Sequence, residues 1–547
     1  MATSDTESGP ESPETSGHVF VVRGDIKTLH CDAWMLPTDA RFQVSASWTD
    51  VVGMARPGRL DLDPWGPGER ARPHPTDSHP NVWLAETAPV AGASSWEELC
   101  DFHLSGVESF VRTASAHVSR SALRRRLRLA VPLVGTGAGG RARRRGLVLK
   151  AWFAHLHQLA VEADVDVATV CWDPKDYAAA QRARLDVLAM DGSDQPGAIE
   201  RALPYWDFGD RTALLHRHAR RLARLCSEGH LALFLGAGVS AGAGLPTWTQ
   251  LLELLDSSLD DEALGLRSDA ELSRSFDLRD LAALLERRFD KAAGGGTRFA
   301  AAVATELDSP HHSLQHALVA SLPANEIITT NFDRLFELAA TAANQRLSVL
   351  PGSPVEGSDR WLLKIHGSVD TPDTMVLTRS GYLSAPRQWG ALFGLVQAML
   401  LTRHMLFLGY SLTDEDFNEV VHEVRLALPA SAHPRPLGTA ITLFEDRVMA
   451  ELWENDVEVV SVRGRREEEQ ASLDDAARDV DRLLDLMGFL AADTAAFILD
   501  EDYADMLNTQ EHELRRLLTR LAEDIPSAVS GPGWERLRTL LAELGRP

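Results

Sequence analysis

The sequence predicts an α/β protein made of two consecutive α/β units and a helical C-terminal region. In two parts of the 547-residue chain, short apolar segments alternate with helical stretches, which is the pattern of a parallel sheet covered by helices. A glycine-rich segment follows an apolar strand in each unit, and leucines repeat at helical spacing near the end. We expect a disordered tail over 1–17, an α/β/α unit over 18–205, a doubly wound parallel sheet with helical insertions over 211–465, and a helical region over 470–547.

The charge balance argues against nucleic acid as a partner. Asp and Glu number 79 and Lys and Arg number 55, which gives a net charge of −24. Binding of nucleic acid needs a cationic surface, so this composition does not predict it, although it allows a local basic patch.

We find no run of about 18 apolar residues that would predict a membrane span. The acidic, Ser- and Pro-rich start lacks the features of a secretory signal, so we expect a cytoplasmic protein.

The first unit contains apolar segments that predict buried strands, with helices near 96–119 and over 144–163. Residues 53–80 are rich in Pro, Gly and charge, which predicts an exposed loop. The predicted strands are Val19–Val22, Ala33–Leu36, Leu127–Val134 and Asp166–Cys171.

In the second unit, a glycine loop follows the apolar strand Leu231–Leu235 and precedes a helical stretch. This arrangement can bind a pyrophosphate, because glycines let backbone N–H groups approach and the helix dipole favours negative charge. A tight strand–helix turn without a ligand has the same pattern. The residues of this candidate phosphate site are Gly236, Ala237, Gly238, Ser240, Gly244 and Pro246.

Three later apolar segments also end in polar residues. They are Ile327–Asp333 with the sequence IITTNFD, Leu362–Ser368 with the sequence LLKIHGS, and Met405–Ser411 with the sequence MLFLGYS, which Asp414 and Asp416 follow. Parallel strands present their carboxyl ends at one edge of a sheet. We therefore expect four strand ends to converge on one crevice.

These motifs resemble, in order and spacing, those of the sirtuin family, and more closely those of the divergent prokaryotic sirtuin-like domains of antiphage defence proteins. The resemblance covers about 215–465. It implies an NAD site in which the glycine loop lines the phosphates. It further implies that Thr330, Asn331 and Asp333 lie beside the nicotinamide ribose, that His366 is the catalytic histidine with Gly367 after it, and that Gly409, Ser411 and Asp414 approach the adenosine half.

Two departures from the family pattern bear on the activity. Thr330 stands where sirtuins have Gln, and no cysteine follows Cys226, so the four-cysteine zinc module of protein-deacylating sirtuins is absent. The resemblance then implies zinc-free NAD hydrolysis in preference to deacylation. The alternatives are a sirtuin-type transferase that ADP-ribosylates or deacylates proteins, and a non-catalytic nucleotide-binding module.

Cleavage of the nicotinamide–ribose bond leaves positive charge on the ribose, which oriented hydrogen-bond acceptors stabilise. We assign Asn331 to the ribose hydroxyls or the attacking water, and His366 to general-base catalysis, since imidazole titrates near neutral pH. Asp333 would orient the loop or bind the nicotinamide amide. The competing interpretation makes His366 a structural histidine and Asn331 an ordinary turn residue. We expect a capping or surface role for His311 and His312.

The first unit resembles a macro domain over about 18–180, on the residues Gly24-Asp25-Ile26 and Val131–Gly140. Pro37–Asp39 stand where that family has an Asn-rich segment. The resemblance implies a sensor for an ADP-ribose-like or cyclic nucleotide signal, with Asp25 on the adenine amino group; a structural turn beside a solvated basic helix is the alternative. The residues that would hold phosphates are Gly135, Thr136, Gly137, Ala138, Gly139, Gly140 and Arg141, followed by Arg143, Arg144 and Arg145.

Together, the two resemblances imply an NAD-depleting effector of abortive-infection defence that the first unit or assembly regulates. An uncontrolled NAD hydrolase would kill its host, so we expect low basal activity until a trigger appears. We also expect a homo-oligomer, and the sequence leaves open whether a partner protein from a defence system is required. Leucines and a tryptophan in the helical region are expected to pack against the enzyme body, with an oligomer seam as the alternative. They are Leu514, Leu517, Leu518, Leu521, Trp534, Leu537 and Leu541.

Overall fold

The structure of the chain is a computed structural model with two parallel-sheet units and a C-terminal group of helices. It describes residues 16–75, 80–89, 96–133, 144–190, 195–259, 264–267, 276–293, 298–352, 354–358, 360–412, 415–428, 436–466, 472–524 and 531–546.

Six strands of the described N-terminal region form one sheet in the order β1-β8-β7-β2-β6-β5. All neighbours are parallel except β5 and β6. The strands are β1 Val19–Arg23, β2 Ala33–Asp39, β3 Gln43–Val44, β4 Gly58–Arg59, β5 Ala71–Pro73, β6 Asn81–Ala88, β7 Arg128–Pro132 and β8 Asp166–Cys171, with β3 and β4 forming a separate hairpin. The helices are α1 Trp96–His117, α2 Arg145–Ala163, α3 Pro174–Leu188 and α4 Ala198–Ala202.

Both faces of this sheet are buried, as parallel sheets require. Alternate residues of a strand point to opposite faces, so Val19 and Val21 of β1 enter the core beneath α1 and α2, while Phe20 and Val22 enter a second core. That second core also contains residues of the C-terminal sheet unit. The two halves of the chain therefore share a continuous apolar interior.

The stretch 53–80, expected to be an exposed loop, supplies two short strands. β4 pairs with β3, and β5 pairs antiparallel with β6 at the edge of the sheet. β5 has the sequence ARP, which offers no apolar alternation to predict a strand. Its pairing is therefore set by β6 and not by its own residues.

The second unit contains a seven-stranded, entirely parallel sheet in the order β11-β12-β10-β9-β13-β14-β15 among the described residues. Its strands are β9 Leu231–Leu235, β10 Glu326–Thr329, β11 Leu347–Leu350, β12 Arg360–Lys364, β13 His404–Leu408, β14 Gly438–Phe444 and β15 Val457–Arg463. Its helices are α5 Thr212–Ser227, α6 Gly238–Ala241, α7 Trp248–Ser257, α8 Leu278–Ala293, α9 Arg298–Glu306, α10 Leu314–Ser321, α11 Leu335–Ala342, α12 Arg379–Gln388, α13 Gly390–Thr402, α14 Glu415–Ala427 and α15 Arg447–Trp453.

The C-terminal helices return to the N-terminal region. They are α16 Leu473–Ala491, α17 Thr509–Asp524 and α18 Pro532–Glu543. Phe497, Tyr503 and Leu541 share the core of α1 and α2, so the expected packing against the enzyme body is wrong for this part of the chain. The predicted leucine stripe is split, because Leu518 packs against that core. Its other members Leu514, Leu517 and Leu521 are exposed.

Helix α16 lies between the two sheet units and buries charged side chains. Asp485 is the centre of this network: its carboxylate accepts hydrogen bonds from Arg184 at 2.7 and 2.9 Å and from the Trp206 indole at 2.8 Å, and lies 2.9 Å from His18 Nε2. Burial opposes ionisation of Asp485, but the charge of Arg184 and the bond with His18 outweigh burial and lower its pKa. A buried charge with this many partners fixes the position of the helix.

Candidate active site

The four strands that carry the predicted motifs lie side by side in the second sheet. Their order is β12-β10-β9-β13, and all are parallel, so their carboxyl ends open on the same edge. The chain passes from β9 to β10 on one side, while β13 flanks β9 on the other. This edge is therefore a topological switch point, where open α/β sheets bind ligands.

Asn331 and His366 extend from neighbouring strands. Thr329 at the end of β10 pairs with Lys364 at the end of β12, and each of the two site residues stands two positions beyond. The Ile365 amide donates to the Thr329 carbonyl oxygen over 3.1 Å, which continues the ladder towards the loops. The structure thus brings the carboxamide and the imidazole to the same end of the sheet.

The glycine loop after β9 packs against the loop after β13. The amides of Gly236 and Gly238 donate to the carbonyl oxygens of Leu408 and Gly409 over 2.9 Å. A Cβ atom on Gly236 would lie 2.4 Å from the Gly409 oxygen, and one on Gly238 would lie 2.7 Å from the Gly409 Cα. The close approach of two backbones therefore requires both glycines. Since their amides are paired within the protein, the exposed Ala237 between them is better placed to donate to a ligand phosphate.

Ser240 connects the glycine loop to the Asn331 loop. Its hydroxyl donates to Asp333 Oδ2 over 2.8 Å and accepts from Asn331 Nδ2 over 3.2 Å, while the same nitrogen lies 3.0 Å from the Gly236 carbonyl oxygen. These bonds fix the carboxamide nitrogen, so its oxygen is the atom that can accept from a ribose hydroxyl. Asp333 Oδ1 accepts from the Leu335 amide over 3.0 Å, which favours an orienting role for this carboxylate.

Lys364 is a functional candidate that the sequence analysis missed. It is 1% exposed, and its ammonium donates to the carbonyl oxygens of Phe332 at 3.2 Å and Asp333 at 2.6 Å and to Glu337 at 2.8 Å. Burial raises the pKa of Glu337, and the charge of Lys364 opposes that rise. The ammonium therefore fastens the loop that carries Asn331. The sequence feature that could have indicated this role is the position of Lys364 within the otherwise apolar start of the segment LLKIHGS.

His366 is buried at the end of β12, and its ring meets the Tyr382 ring edge-on at a centroid distance of 5.2 Å. Its carbonyl oxygen accepts from the Val376 amide over 2.9 Å. Gly367 has a φ of +91°, and a Cβ atom there would lie 2.3 Å from the Thr374 carbonyl oxygen. A glycine is therefore required directly after the histidine for the tight turn that holds it.

The other residues predicted for the NAD site lie along the same edge. Gly244, with a φ of +85°, and Ser411 are exposed, and Pro246 and Thr330 are half-buried. Asp414 lies outside the described residues.

The predicted ligand residues of the N-terminal region are described only in part. Asp25 follows β1 and caps a short 3₁₀ turn, with its Oδ1 atom accepting from the Lys27 amide over 3.0 Å. An adenine amino group would add to or replace that contact. Gly135, Thr136, Gly137, Ala138, Gly139, Gly140 and Arg141 lie outside the described residues.

His312 differs from the expectation of a capping or surface role. It is buried, and its neighbour Ser313 is the residue that caps α10.

Within the described ranges, no group of three or more His, Cys, Asp or Glu side chains is arranged to hold a metal ion. In the same part of the chain, no helix is long and apolar enough to cross a bilayer.

Comparison with known protein families identifies the type of domain to which this edge of the second sheet belongs. Residues 325–450 match the SIR2-like domain. The chain contains a SIR2-like domain. The matched residues include β10, β12, β13 and β14, so Asn331, His366 and Ser411 all fall within the SIR2-like match, while the glycine loop precedes it. The resemblance to sirtuin-like domains is thereby confirmed, and that of the N-terminal region to macro domains stays a prediction.

The chain is also similar to several curated proteins. NAD(+) hydrolase ThsA of Enterococcus faecium is 28% identical over 227 residues, which cover 39% of this chain and 44% of that protein. NAD(+) hydrolase ThsA of Acinetobacter baumannii is 26% identical over 38% of this chain and 41% of that protein. Defense-associated sirtuin 2 of Bacillus subtilis is 26% identical over 38% of this chain and 20% of that protein. The chain thus spans less than half the length of these curated relatives.

Proposed function

We propose that the SIR2-like domain hydrolyses NAD at the nicotinamide–ribose bond and releases nicotinamide and ADP-ribose. The observation that carries the proposal is the placement of Asn331 and His366 on neighbouring strand ends, beside a glycine loop at the switch point of the sheet. The names of the ThsA relatives agree with this activity.

The residues of the site account for each part of the reaction. The C–N bond to nicotinamide breaks, a C–O bond to water forms, and the proton of the water passes to His366. The carboxamide oxygen of Asn331 holds a ribose hydroxyl or the water, because its nitrogen is fixed by Ser240 and Gly236. Lys364 keeps that loop in place.

The test is a chromatographic assay of products from purified full-length protein incubated with NAD and candidate triggers. His366→Ala is expected to lower turnover by about 10²–10⁴-fold, the usual contribution of acid–base catalysis, and Asn331→Ala by about 10²–10³-fold, the effect of one lost hydrogen-bonding group in an active site, each with an unchanged circular dichroism spectrum. His512→Ala, at an exposed position on α17, is the matched control and should retain full turnover. Retention of turnover in both site variants would refute the assignment.

We further propose that the N-terminal region is macro-like and senses an ADP-ribose-like or cyclic nucleotide signal that releases the NAD hydrolase during antiphage defence. Such an effector acts on cytoplasmic NAD and works as a homo-oligomer, with a partner protein of the same defence system. The position of Asp25 at the carboxyl end of β1 supports a ligand site at that edge.

Calorimetry on the full-length His366→Ala variant tests the sensor proposal, because that variant should not consume nucleotides. ADP-ribose or one of its cyclised forms is expected to release heat, and Asp25→Ala should weaken the binding. The fragment 1–205 is unsuitable, since it lacks Arg478 and Asp485, the buried partners of Asp166 and Arg184. No heat with any of these nucleotides would contradict the sensor role.

A further inference from the structure

The segment 309–316, which leads into α10, lies between the glycine loop and the N-terminal region. Ser313 is buried within it and caps α10 by accepting from the His316 amide over 3.2 Å. The same hydroxyl donates to the carbonyl oxygen of Val239 over 2.8 Å. Val239 belongs to the one-turn helix α6, so this bond reaches into the glycine loop itself.

The geometry fixes the direction of these bonds. The Ser313 hydroxyl has one proton and gives it to Val239, so the 2.8 Å contact with His316 Nδ1 requires the ring nitrogen to donate. Burial lowers the pKa of His316 well below its usual value, which keeps the ring neutral. A Cβ atom on Gly242 would lie 3.3 Å from the Ser313 Cβ, so the loop packs closely on the serine.

On its other side, the segment is bonded to the N-terminal region. The His312 amide donates to the Thr28 carbonyl oxygen and the His30 amide donates to the His312 carbonyl oxygen, each over 2.9 Å, in a parallel bridge of Leu29 with His312. The Thr28 hydroxyl lies 3.0 Å from the carbonyl oxygen of Asp25 and 3.3 Å from His312 Nε2. A chain of direct contacts therefore runs from the Asp25 turn to α6.

We propose that Ser313 is a positioning residue of the NAD site, through which the N-terminal region sets the position of the glycine loop. The residue that follows Val239 is Ser240, whose hydroxyl holds both Asp333 and Asn331. A displacement of α6 would therefore change the position of the glycine loop, where the NAD phosphates are expected to bind. This inference rests on the proposed NAD hydrolase function, which supplies the reaction that the loop serves.

Three substitutions separate the hydroxyl bond to Val239 from the capping of α10. Ser313→Ala loses both, and Ser313→Thr keeps both. Ser313→Gly loses the hydroxyl, but glycine in place of a serine cap costs a helix only a few tenths of a kcal/mol. The matched control is Ser384→Ala on the exposed side of α12.

Steady-state kinetics with NAD and the melting temperature are the first two measurements. Ser313→Ala and Ser313→Gly should each raise KM for NAD about fivefold, the effect of one lost hydrogen bond, with kcat within about twofold. Ser313→Gly should melt closer to the wild type than Ser313→Ala does, because the cap is less affected, and Ser313→Thr should restore both quantities. A KM that follows the melting temperature across the series, with Ser313→Gly kinetically normal, would overturn the positioning role.

Hydrogen exchange of the amides in 237–244 gives a readout that does not depend on turnover. Exchange should accelerate in Ser313→Ala and Ser313→Gly, and also, by less, in Thr28→Val, which removes the hydroxyl between Asp25 and His312. Unchanged exchange in Thr28→Val would overturn the link to the N-terminal region. If the wild type cleaves no NAD with any trigger, the proposed function fails, and the exchange rates alone then decide on Ser313.

Discussion

The two sheet units differ at the N-terminus of the helix that follows each glycine segment: one N-terminus is exposed, and the other is capped by a carboxylate of the chain. In the second unit, α6 begins at the carboxyl edge of the sheet with Ala237 and Gly238 exposed. In the N-terminal region, the first turn of α2 is already capped, since the amides of Gly146 and Leu147 donate to the two carboxylate oxygens of Asp505 over 3.1 and 2.9 Å. One helix start is open to a ligand, and the other holds an anion that the chain itself supplies.

The contrast extends to the neighbouring charges. Arg145, expected to neutralise a ligand phosphate, lies 2.7 Å from Asp502 and near the ring of Tyr503. A helix N-terminus attracts negative charge from any source. A strand followed by glycines and a helix therefore predicts a bound anion, but this pattern does not distinguish a ligand phosphate from a carboxylate of the chain itself. The polar groups of the N-terminal region are thus expected to contribute mainly to stability, and those at the SIR2-like edge mainly to turnover.

The largest expected effect on stability is that of Asp485→Ala. It leaves the guanidinium of Arg184 buried without its counter-ion, which should lower the free energy of unfolding by about 3–5 kcal/mol. Urea unfolding followed by tryptophan fluorescence measures this. Asp210→Ala, at an exposed position, is the control and should stay within about 0.5 kcal/mol. A loss of turnover with unchanged stability would contradict the contrast between the two regions.

Acid should destabilise the folded chain through two buried histidines before it protonates the paired carboxylates. Burial lowers the pKa of His18 and of His312 to about 4, so both rings stay neutral in the folded chain while the unfolded chain takes up protons below about pH 6.5. Stability should therefore fall as the pH falls from about 6.5 to 4, by up to about 3 kcal/mol for each histidine. His312→Asn should flatten the pH dependence, and an equally steep curve in that variant would count against this explanation.

A smaller effect is expected for Asp505→Ala, which removes the cap of α2. Loss of a capping carboxylate costs about 1 kcal/mol, and Asp505→Asn should recover part of it by keeping an acceptor oxygen. Glu501→Ala, on the exposed side of the same segment, serves as the control. The free energy of unfolding with and without inorganic phosphate measures both effects. Stabilisation of Asp505→Ala by phosphate, absent from the wild type, would show that this helix start accepts an external anion once the carboxylate is removed.

The sequence predicted what local patterns encode. The strand Asp166–Cys171 has the predicted bounds, and the ends of β9, β10, β12 and β13 are adjacent because apolar strands with polar ends are typical of a parallel sheet. Contacts between distant segments could not be found in this way. The bond between Arg478 and Asp166 joins residues 312 positions apart, and the local sequence around either residue does not indicate the other.

Two kinds of residue could not be predicted from the sequence, for the same reason. Ser313 was overlooked beside a histidine pair that was expected to be superficial, because a capping serine gives no sign of a second acceptor such as Val239. The charged pattern of α16 is typical of a solvated helix, yet Asp481 and Asp485 are buried against arginines. Burial of paired charges is a tertiary property, and helix periodicity alone does not reveal it.

The return of α16 to the first sheet sets an order of events during synthesis. Asp166, Arg128 and Arg184 leave the ribosome 301 to 353 residues before their partners on α16. A ribosome that stalls after residue 466 has already synthesised every described strand of the second sheet, while three charges of the N-terminal region still lack counter-ions. An unfinished chain of this length would contain the complete second sheet, with the proposed NAD site, beside an N-terminal region whose buried charges have no partners.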